Sequence, residues 1–492
     1  METNLARLSE SAHERLGDYP SVWFEGTWYR SADLRARAAR VATGLRERGV
    51  RPGDRVVVIM ANCPEVGITY NAVWRAGAVV TPVIFLVSAP ELRHAVENSG
   101  AVLIVTTAEV LPKVKEATEG LDLPVFVVGA NYAELEAADP GGIVERAPDD
   151  LAALMYTGGT TGRSKGVALS HRNLAHVGAA SRKRSHVEGL TRGLLALPLS
   201  HSYGLLITVG GFYAEEHAPS ILMRWFEPQR WLELAVEHRA QVAAVVPSML
   251  ALLLRFPLES YDLSELRRVY CGAAPLSPIV AQEFLRRVPS VEIREGYGCT
   301  ETAGLISSQP DGAPRLGTVG KPVDGVELRI IGFDGREVAA GEEGEIVVRG
   351  PNVMSHYWGE ESAGDADGWL HTGDVGRLDD EGFLVIVDRM KDLIIRNGYN
   401  VFPRDVEDVL MTHPAVAMAA VIGRPDPVVG EEVVAFVALS TPDAVTPGEL
   451  TEYAKERIAA NKYPREVHIV DAIPLTSVGK LDRKRLRAAI TR

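Results

Sequence analysis

Between Tyr156 and Gly166 the chain reads YTGGTTGRSKG, directly after an apolar run at residues 151–155. Glycines without Cβ let backbone N–H groups approach an anion. The hydroxyls of Thr157, Thr160, Thr161 and Ser164 add donors, and Arg163 and Lys165 supply positive charge. Such a segment suits the holding of a polyphosphate. It departs from the familiar P-loop, in which Gly-Lys is followed by Ser or Thr and then by a helix. Here Lys165 precedes Gly166 and then residues 167–169, which read as a second strand. A hydroxyl-rich hairpin loop without a ligand has the same composition.

The stretch resembles the signature phosphate loop of the adenylate-forming enzymes: acyl-CoA synthetases, luciferases and the adenylation domains of peptide synthetases. The common form there is YTSGTTGxPKG. This chain has Gly158 in place of Ser and Ser164 in place of Pro, and neither change removes an obvious phosphate donor. Further matches follow in the family's order along nearly the whole chain. By this resemblance Thr157, Gly158, Gly159, Thr160, Thr161, Gly162 and Lys165 bind the phosphates of ATP. EGYGCTE at 295–301 is similar to the adenine and α-phosphate motif. It implies that Glu295, Gly296, Tyr297 and Gly298 serve the nucleotide and that Thr300 meets the α-phosphate. Glu301 would help to hold Mg²⁺, a hard cation that takes carboxylate and phosphate oxygens. In HTGD at 371–374, Asp374 would accept both ribose hydroxyls, joined by Arg389. YCGAAPL at 270–276 would place Gly272, Ala273 and Ala274 as a small-residue wall between the adenine and acyl pockets.

Three further matches bear on the acid and the thiol. LPLSHSYG resembles the acyl-pocket motif PLxHxxG, so His201 would gate or line that pocket with Tyr203, Gly204, Gly272 and Gly298. No Asp stands near this point to pair an ammonium, which speaks against an amino-acid substrate. RMKDLIIRNGYN at 389–400 looks like the interdomain hinge, with Lys391 as pivot and Gly398 near a pantetheine tunnel. Lys480, in PLTSVGKLDRKR, resembles the TxxGK lysine that binds both the attacking carboxylate and the nucleotide. Read without the family, the same run is a solvated charged face.

The resemblance implies an ATP-dependent carboxylic acid–CoA ligase. A carboxylate is a poor electrophile, because its leaving group would be oxide. Attack on the α-phosphate of ATP gives an acyl adenylate and pyrophosphate. Mg²⁺, Lys480, Thr300 and the loop around Lys165 would offset the repulsion as charge builds on the phosphoryl oxygens. CoA then takes the acyl group. Lys480 must first leave that side of the adenylate, which a domain swing at Lys391 would permit. The small residues at 272–274, and the lack of a cation to pair a second carboxylate, suit a medium or long fatty acid or an aryl acid. The alternative is an acyl-AMP ligase that hands its product to an acyl carrier protein or another nucleophile.

Positioning these residues requires α/β elements. A helix is expected from Ser31 as cap, with Leu34, Ala38, Val41 and Leu45 on one face and Gly49 after its end. A buried strand at 56–60, a helix at 64–75 and a strand at 78–83 form one strand–helix–strand unit, with further strands at 102–106 and 125–128. Residues 137–150 read as a surface connector. Short strands at 326–331, 345–349 and 383–387 suggest a β-rich subdomain. A helix at 406–410, strands at 415–422 and 433–439 and a helix at 447–460 suggest an α+β terminus. The expected architecture is a large N-terminal domain, 1–388, of parallel-rich αβαβα-type sheets plus the β-rich subdomain. A small mobile C-terminal domain, 389–492, would follow, hinged at about 388–392.

Composition narrows the class. The 492 residues are too many for one core. A net charge of −13 argues against nucleic acid as partner, and a homo-oligomer is compatible with the chain. Cys63, Cys271 and Cys299 are scattered, which favours a reduced, cytoplasmic setting without a metal or disulfide framework. The first residues show no apolar signal segment. Residues 194–214 carry no charge, but Pro198, His201 and Tyr203 in their midst favour a buried cleft-lining segment over a membrane span.

Overall fold

Unbroken apolar runs, most of them followed by a helix, set the frame of the larger half. The computed structural model describes residues 3–157, 164–312, 314–360, 364–475 and 481–490. They fall into two compact units, residues 1–328 with 348–370, and residues 329–347 with 371–492. In the first unit Arg55–Ile59 is a strand with Val56–Ile59 essentially removed from solvent. It pairs in parallel with Val79–Pro82 on one side and Leu103–Thr107 on the other. Helices Pro64–Arg75 and Ala89–Ser99 make the crossovers that parallel neighbours need. The full sheet runs Val125–Val128, Leu103–Thr107, Arg55–Ile59, Val79–Pro82, Leu151–Tyr156, Gly166–Ser170, His356–Tyr357.

The second sheet of this unit has nine strands, with Gly193–Leu195, Val242–Val245, Arg268–Cys271 and Glu292–Tyr297 parallel at its centre. The uncharged stretch at 194–214 is divided between the strand Gly193–Leu195 and the helix Ser202–Gly210, with eleven of its side chains buried. Among the described residues no helix is long and apolar enough to cross a membrane. One local expectation is corrected. Helix Ser31–Glu47 begins after Arg30, and Ser31 is its first residue instead of its cap. The Ser31 hydroxyl accepts from Tyr19 N at 3.1 Å and donates to Gly17 O at 3.1 Å, so it serves the preceding turn.

The second unit carries most of a four-stranded sheet, in the order Glu327–Ile331, Gly344–Arg349, Leu370–Leu378, Leu384–Arg389. It also holds a five-stranded sheet centred on Gly430–Leu439, which pairs with Val416–Asp426 over ten registered positions. Alternation along these strands sends side chains to opposite faces. Val421, Val433, Ala435 and Val437 pack under the helices Pro403–Met411 and Pro447–Lys455. Ile422, Val434 and Phe436 pack with Leu486 of the helix Arg483–Ile490. The Pro447 helix ends at Lys455, shorter than the expected 447–460. The architecture is thus mixed α/β with a large N-terminal sheet region and a smaller C-terminal α+β region. Strand Leu384–Arg389 groups with the C-terminal unit by packing.

Candidate functional site

Strands Leu151–Tyr156 and Gly166–Ser170 form an antiparallel hairpin with Tyr156 opposite Gly166. Thr157 N donates to Lys165 O at 3.1 Å, which closes the base of the glycine-rich loop. The loop tip, with Gly158, Gly159, Thr160, Thr161 and Gly162, lies outside the described residues. Helix Ala89–Ser99 steadies both ends of the loop. His94 Nε2 lies 2.8 Å from Ser164 O, and the Tyr156 hydroxyl donates to Asn98 Oδ1 at 2.7 Å.

Lys165 and Glu301, far apart in sequence, meet on one side chain. Lys165 Nζ stands 4.8 Å from the centre of the Tyr357 ring and 2.7 Å from Glu360 Oε1. The Tyr357 hydroxyl donates to Glu301 Oε1 at 3.1 Å. Burial, and then the charge of Glu301, push this hydroxyl up, so it stays protonated and available as a donor. Glu301 Oε2 has no hydrogen-bond partner among the described residues. Among those residues no group of three or more His, Cys, Asp or Glu could enclose a metal ion. One carboxylate with an uncommitted oxygen fits Mg²⁺, which keeps water and phosphate oxygens as its other ligands.

The adenine-motif residues Glu295, Gly296 and Tyr297 end the strand Glu292–Tyr297, and the turn begins at Gly298. A Cβ on Gly298 would overlap the backbone of Gly304 and Leu305, so the packing of the turn itself dictates glycine there. Thr300 and Glu301 open a 3₁₀ turn in which Cys299 N donates to Thr302 Oγ1 at 3.1 Å. Glu295 is buried opposite Cys271, and its Oε1 accepts from Gly317 N at 3.0 Å. A small, partly open cavity of about 100 Å³ adjoins it, lined by Leu276, Ala281, Leu316 and Gly317.

The residues matched to the acyl pocket adjoin this motif. A Cβ on Gly272 would lie 3.2 Å from Gly296 O and 3.7 Å from Tyr203 Cε1, so these three residues are brought together. Ala273 has φ 68°, a left-handed conformation that costs a residue with Cβ roughly 1–2 kcal/mol. Ala274 follows it. The Tyr203 hydroxyl donates to Tyr270 O at 3.2 Å. His201 caps helix Ser202–Gly210, its Nδ1 accepting from Tyr203 N at 3.2 Å, so Nδ1 carries no proton in this arrangement. Gly204 sits where a Cβ would overlap the backbone of Pro198 and Leu199.

In the second unit, Asp374 and Arg389 stand directly opposite each other on antiparallel strands. Arg389 Nε lies 2.9 Å from Asp374 Oδ1, with Asp374 buried and Arg389 half exposed. Lys391 lies in the 3₁₀ turn Met390–Asp392. The acids on either side are anchored. Asp388 accepts from Arg389 N and Arg404 N at 2.8 and 2.9 Å, and Asp392 meets Arg487 Nη2 at 2.9 Å. Gly398, at φ 78°, makes the turn between Ile394–Arg396 and Tyr399–Val401, so backbone conformation alone calls for glycine there. Lys480 lies outside the described residues. The flanking chain is held by a bridge between Leu475 and Leu481. Arg483 Nη2 adds two contacts to Glu407, at 2.7 and 2.9 Å.

Sequence reasoning missed Tyr357 and Glu360. The signal was weak: an aromatic run, His-Tyr-Trp, between two stronger motifs, forming a strand of only two residues.

Residues 8–358 match the AMP-binding enzyme family, and residues 405–480 match the AMP-binding enzyme C-terminal domain. A feruloyl-CoA synthase of Amycolatopsis sp is 37% identical over 475 residues, covering 94% of each chain. A long-chain-fatty-acid–CoA ligase of Bacillus subtilis (strain 168) is 32% identical over 523 residues, covering 97% of this chain and 93% of the relative. The ATP-bound crystal structure of MatB from Rhodopseudomonas palustris is similar with a TM-score of 0.91 and 30% identity, covering 98% of each chain.

Proposed function

We propose that this chain, which belongs to the AMP-binding enzyme family, is a carboxylic acid–CoA ligase that works through an acyl adenylate. It is an adenylate-forming ligase that uses ATP, Mg²⁺ and CoA. The observation that carries the reading is the meeting of Lys165 and Glu301 at Tyr357, one cation and one carboxylate beside a hydroxyl-rich loop. That pair suits a metal-bound polyphosphate: Lys165 and the loop for its oxygens, Glu301 for the ion. When bound, Mg²⁺ would neutralise developing phosphate charge.

In this reading Thr300 meets the α-phosphate, and Asp374 with Arg389 takes the ribose hydroxyls. Lys480 binds the acid's carboxylate and steadies its attack. Withdrawing one such contact from the transition state costs on the order of 3 kcal/mol. The nucleotide lies along Glu295–Gly298 and the wall Gly272–Ala274. The acid occupies the space near His201, Tyr203, Gly204, Gly272 and Gly298. Residues 389–492 then swing about Lys391 against 1–388, exchanging Lys480 for the CoA thiol, which passes Gly398.

Similarity to a feruloyl-CoA synthase and to a long-chain-fatty-acid–CoA ligase supports an aryl or a medium to long fatty acid. Cys63, Cys271 and Cys299 form no disulfide among the described residues, which supports a reducing, cytoplasmic setting. The test is mass spectrometry of reactions with ATP, Mg²⁺ and a panel of fatty, aryl and short-chain acids, with and without CoA. Acyl-AMP that converts to acyl-CoA is the expected result. Acyl-AMP that persists with CoA present would shift the acceptor to a carrier-protein thiol or another nucleophile.

A further inference from the structure

Residues 351–360 are sewn along the nucleotide motifs. Asn173 Nδ2 donates to Pro351 O at 2.8 Å and to Val353 O at 2.9 Å. Asn352 Nδ2 donates to Leu305 O at 2.8 Å. Met354 N donates to Glu301 O at 2.8 Å, and Trp358 N to Gly166 O at 2.7 Å. Between these last two bonds, Tyr357 pairs opposite Val167 on the strand that follows the phosphate loop. The backbone therefore delivers one aromatic side chain to the Glu301 turn and to Lys165 at once.

We propose that Tyr357 is a positioning residue for adenylation, its hydroxyl fixing Glu301 and its ring fixing Lys165, with Glu360 the resting counter-ion that phosphates replace. The proposal rests on the reading in which Lys165 meets phosphates and Glu301 helps to hold Mg²⁺. A carboxylate on a short 3₁₀ turn has several rotamers open to it. The Tyr357 donor restricts them while committing only Oε1. The ring face attracts an ammonium without neutralising it, so Lys165 keeps its charge for an incoming anion. The Glu360 contact is of another kind. Both partners are about half exposed, and water screens such pairs until they are weak. A polyphosphate offers several charges in place of one and displaces Glu360 readily. Glu360 thus keeps the cation extended, at a small cost in nucleotide affinity.

The test is calorimetric titration of ATP into the full-length protein, with and without Mg²⁺, for wild type, Tyr357→Phe, Glu301→Gln and Glu360→Gln. Tyr357→Phe keeps the ring and the strand pairing. It should lower the Mg²⁺-dependent gain in ATP affinity about tenfold, the size of one hydrogen bond to a charged group, while binding without Mg²⁺ stays as in wild type. Glu360→Gln should tighten ATP binding roughly threefold under both conditions. A Mg²⁺-dependent gain that survives Tyr357→Phe but falls in Glu301→Gln overturns the role of Tyr357 alone. A gain that survives Glu301→Gln as well overturns the metal role of Glu301 beneath it. Unchanged or weaker ATP binding in Glu360→Gln overturns the counter-ion role, whatever the folding of the tyrosine variant.

Discussion

Asp374 shows what a single residue can be made to reveal. It is buried, and its carboxylate already holds Arg389. On the proposed reading, Asp374→Ala removes the ribose acceptor and the carboxylate that holds Arg389. The KM for ATP should then rise about ten- to a hundredfold, the worth of charged hydrogen bonds, in a pyrophosphate-release assay. The motif HTGD made Asp374 legible as a candidate in the sequence. Its registration against Arg389 was not, because cross-strand register depends on turn geometry that the intervening residues do not spell out. A second residue-scale prediction concerns stability. His171 is buried and accepts Leu5 N at its Nδ1 at 3.2 Å. Burial, more than the nearby Arg146 charge, lowers it to about 4 from 6.5. The folded state therefore binds fewer protons at this site than the unfolded state. Its contribution is present above about pH 6.5 and is lost as pH falls toward 4, by about 3 kcal/mol. Thermal melts between those pH values should show the loss, and His171→Gln should flatten it.

At the scale of elements, the site depends on turns that tolerate no added atom. Gly298→Ala would push a methyl into the Gly304–Leu305 backbone. Overpacking of this kind costs about 1–3 kcal/mol. Because the displaced turn carries Thr300 and Glu301, pyrophosphate release should fall with the melting temperature. If activity held while stability dropped, the turn would not be what positions Glu301. The parallel strands were legible because runs buried on both faces leave no polar alternation, and the expected 64–75 helix is the one observed. Ser31 misled because capping residues also bond within neighbouring turns, and only tertiary structure decides which. His356–Tyr357 was illegible for a different reason: two residues show no periodicity, and this strand exists only through its partner.

At the scale of the whole molecule, the proposed reading has two half-reactions share one nucleotide site and differ in what the C-terminal region presents. Lys480→Ala should therefore depress acid-dependent pyrophosphate release at least about a hundredfold. Thioester formation from supplied acyl adenylate and CoA should stay near wild type. Equal loss of both would remove the argument for a swing about Lys391. The order of motifs along the chain made this division legible as an expectation. The path of the acyl group was not, since it depends on side chains that converge from separate strands.

The two-residue strand at His356–Tyr357 also bears on solubility. Gly166–Ser170 is buried along its whole length, and its outer side would otherwise offer unpaired amides and carbonyls. An open, apolar sheet margin recruits strands from other molecules. The short segment occupies that margin and is too brief to extend the sheet further. A change that detaches it would expose a self-associating border as well as disturb the nucleotide, so loss of activity and aggregation should arise together.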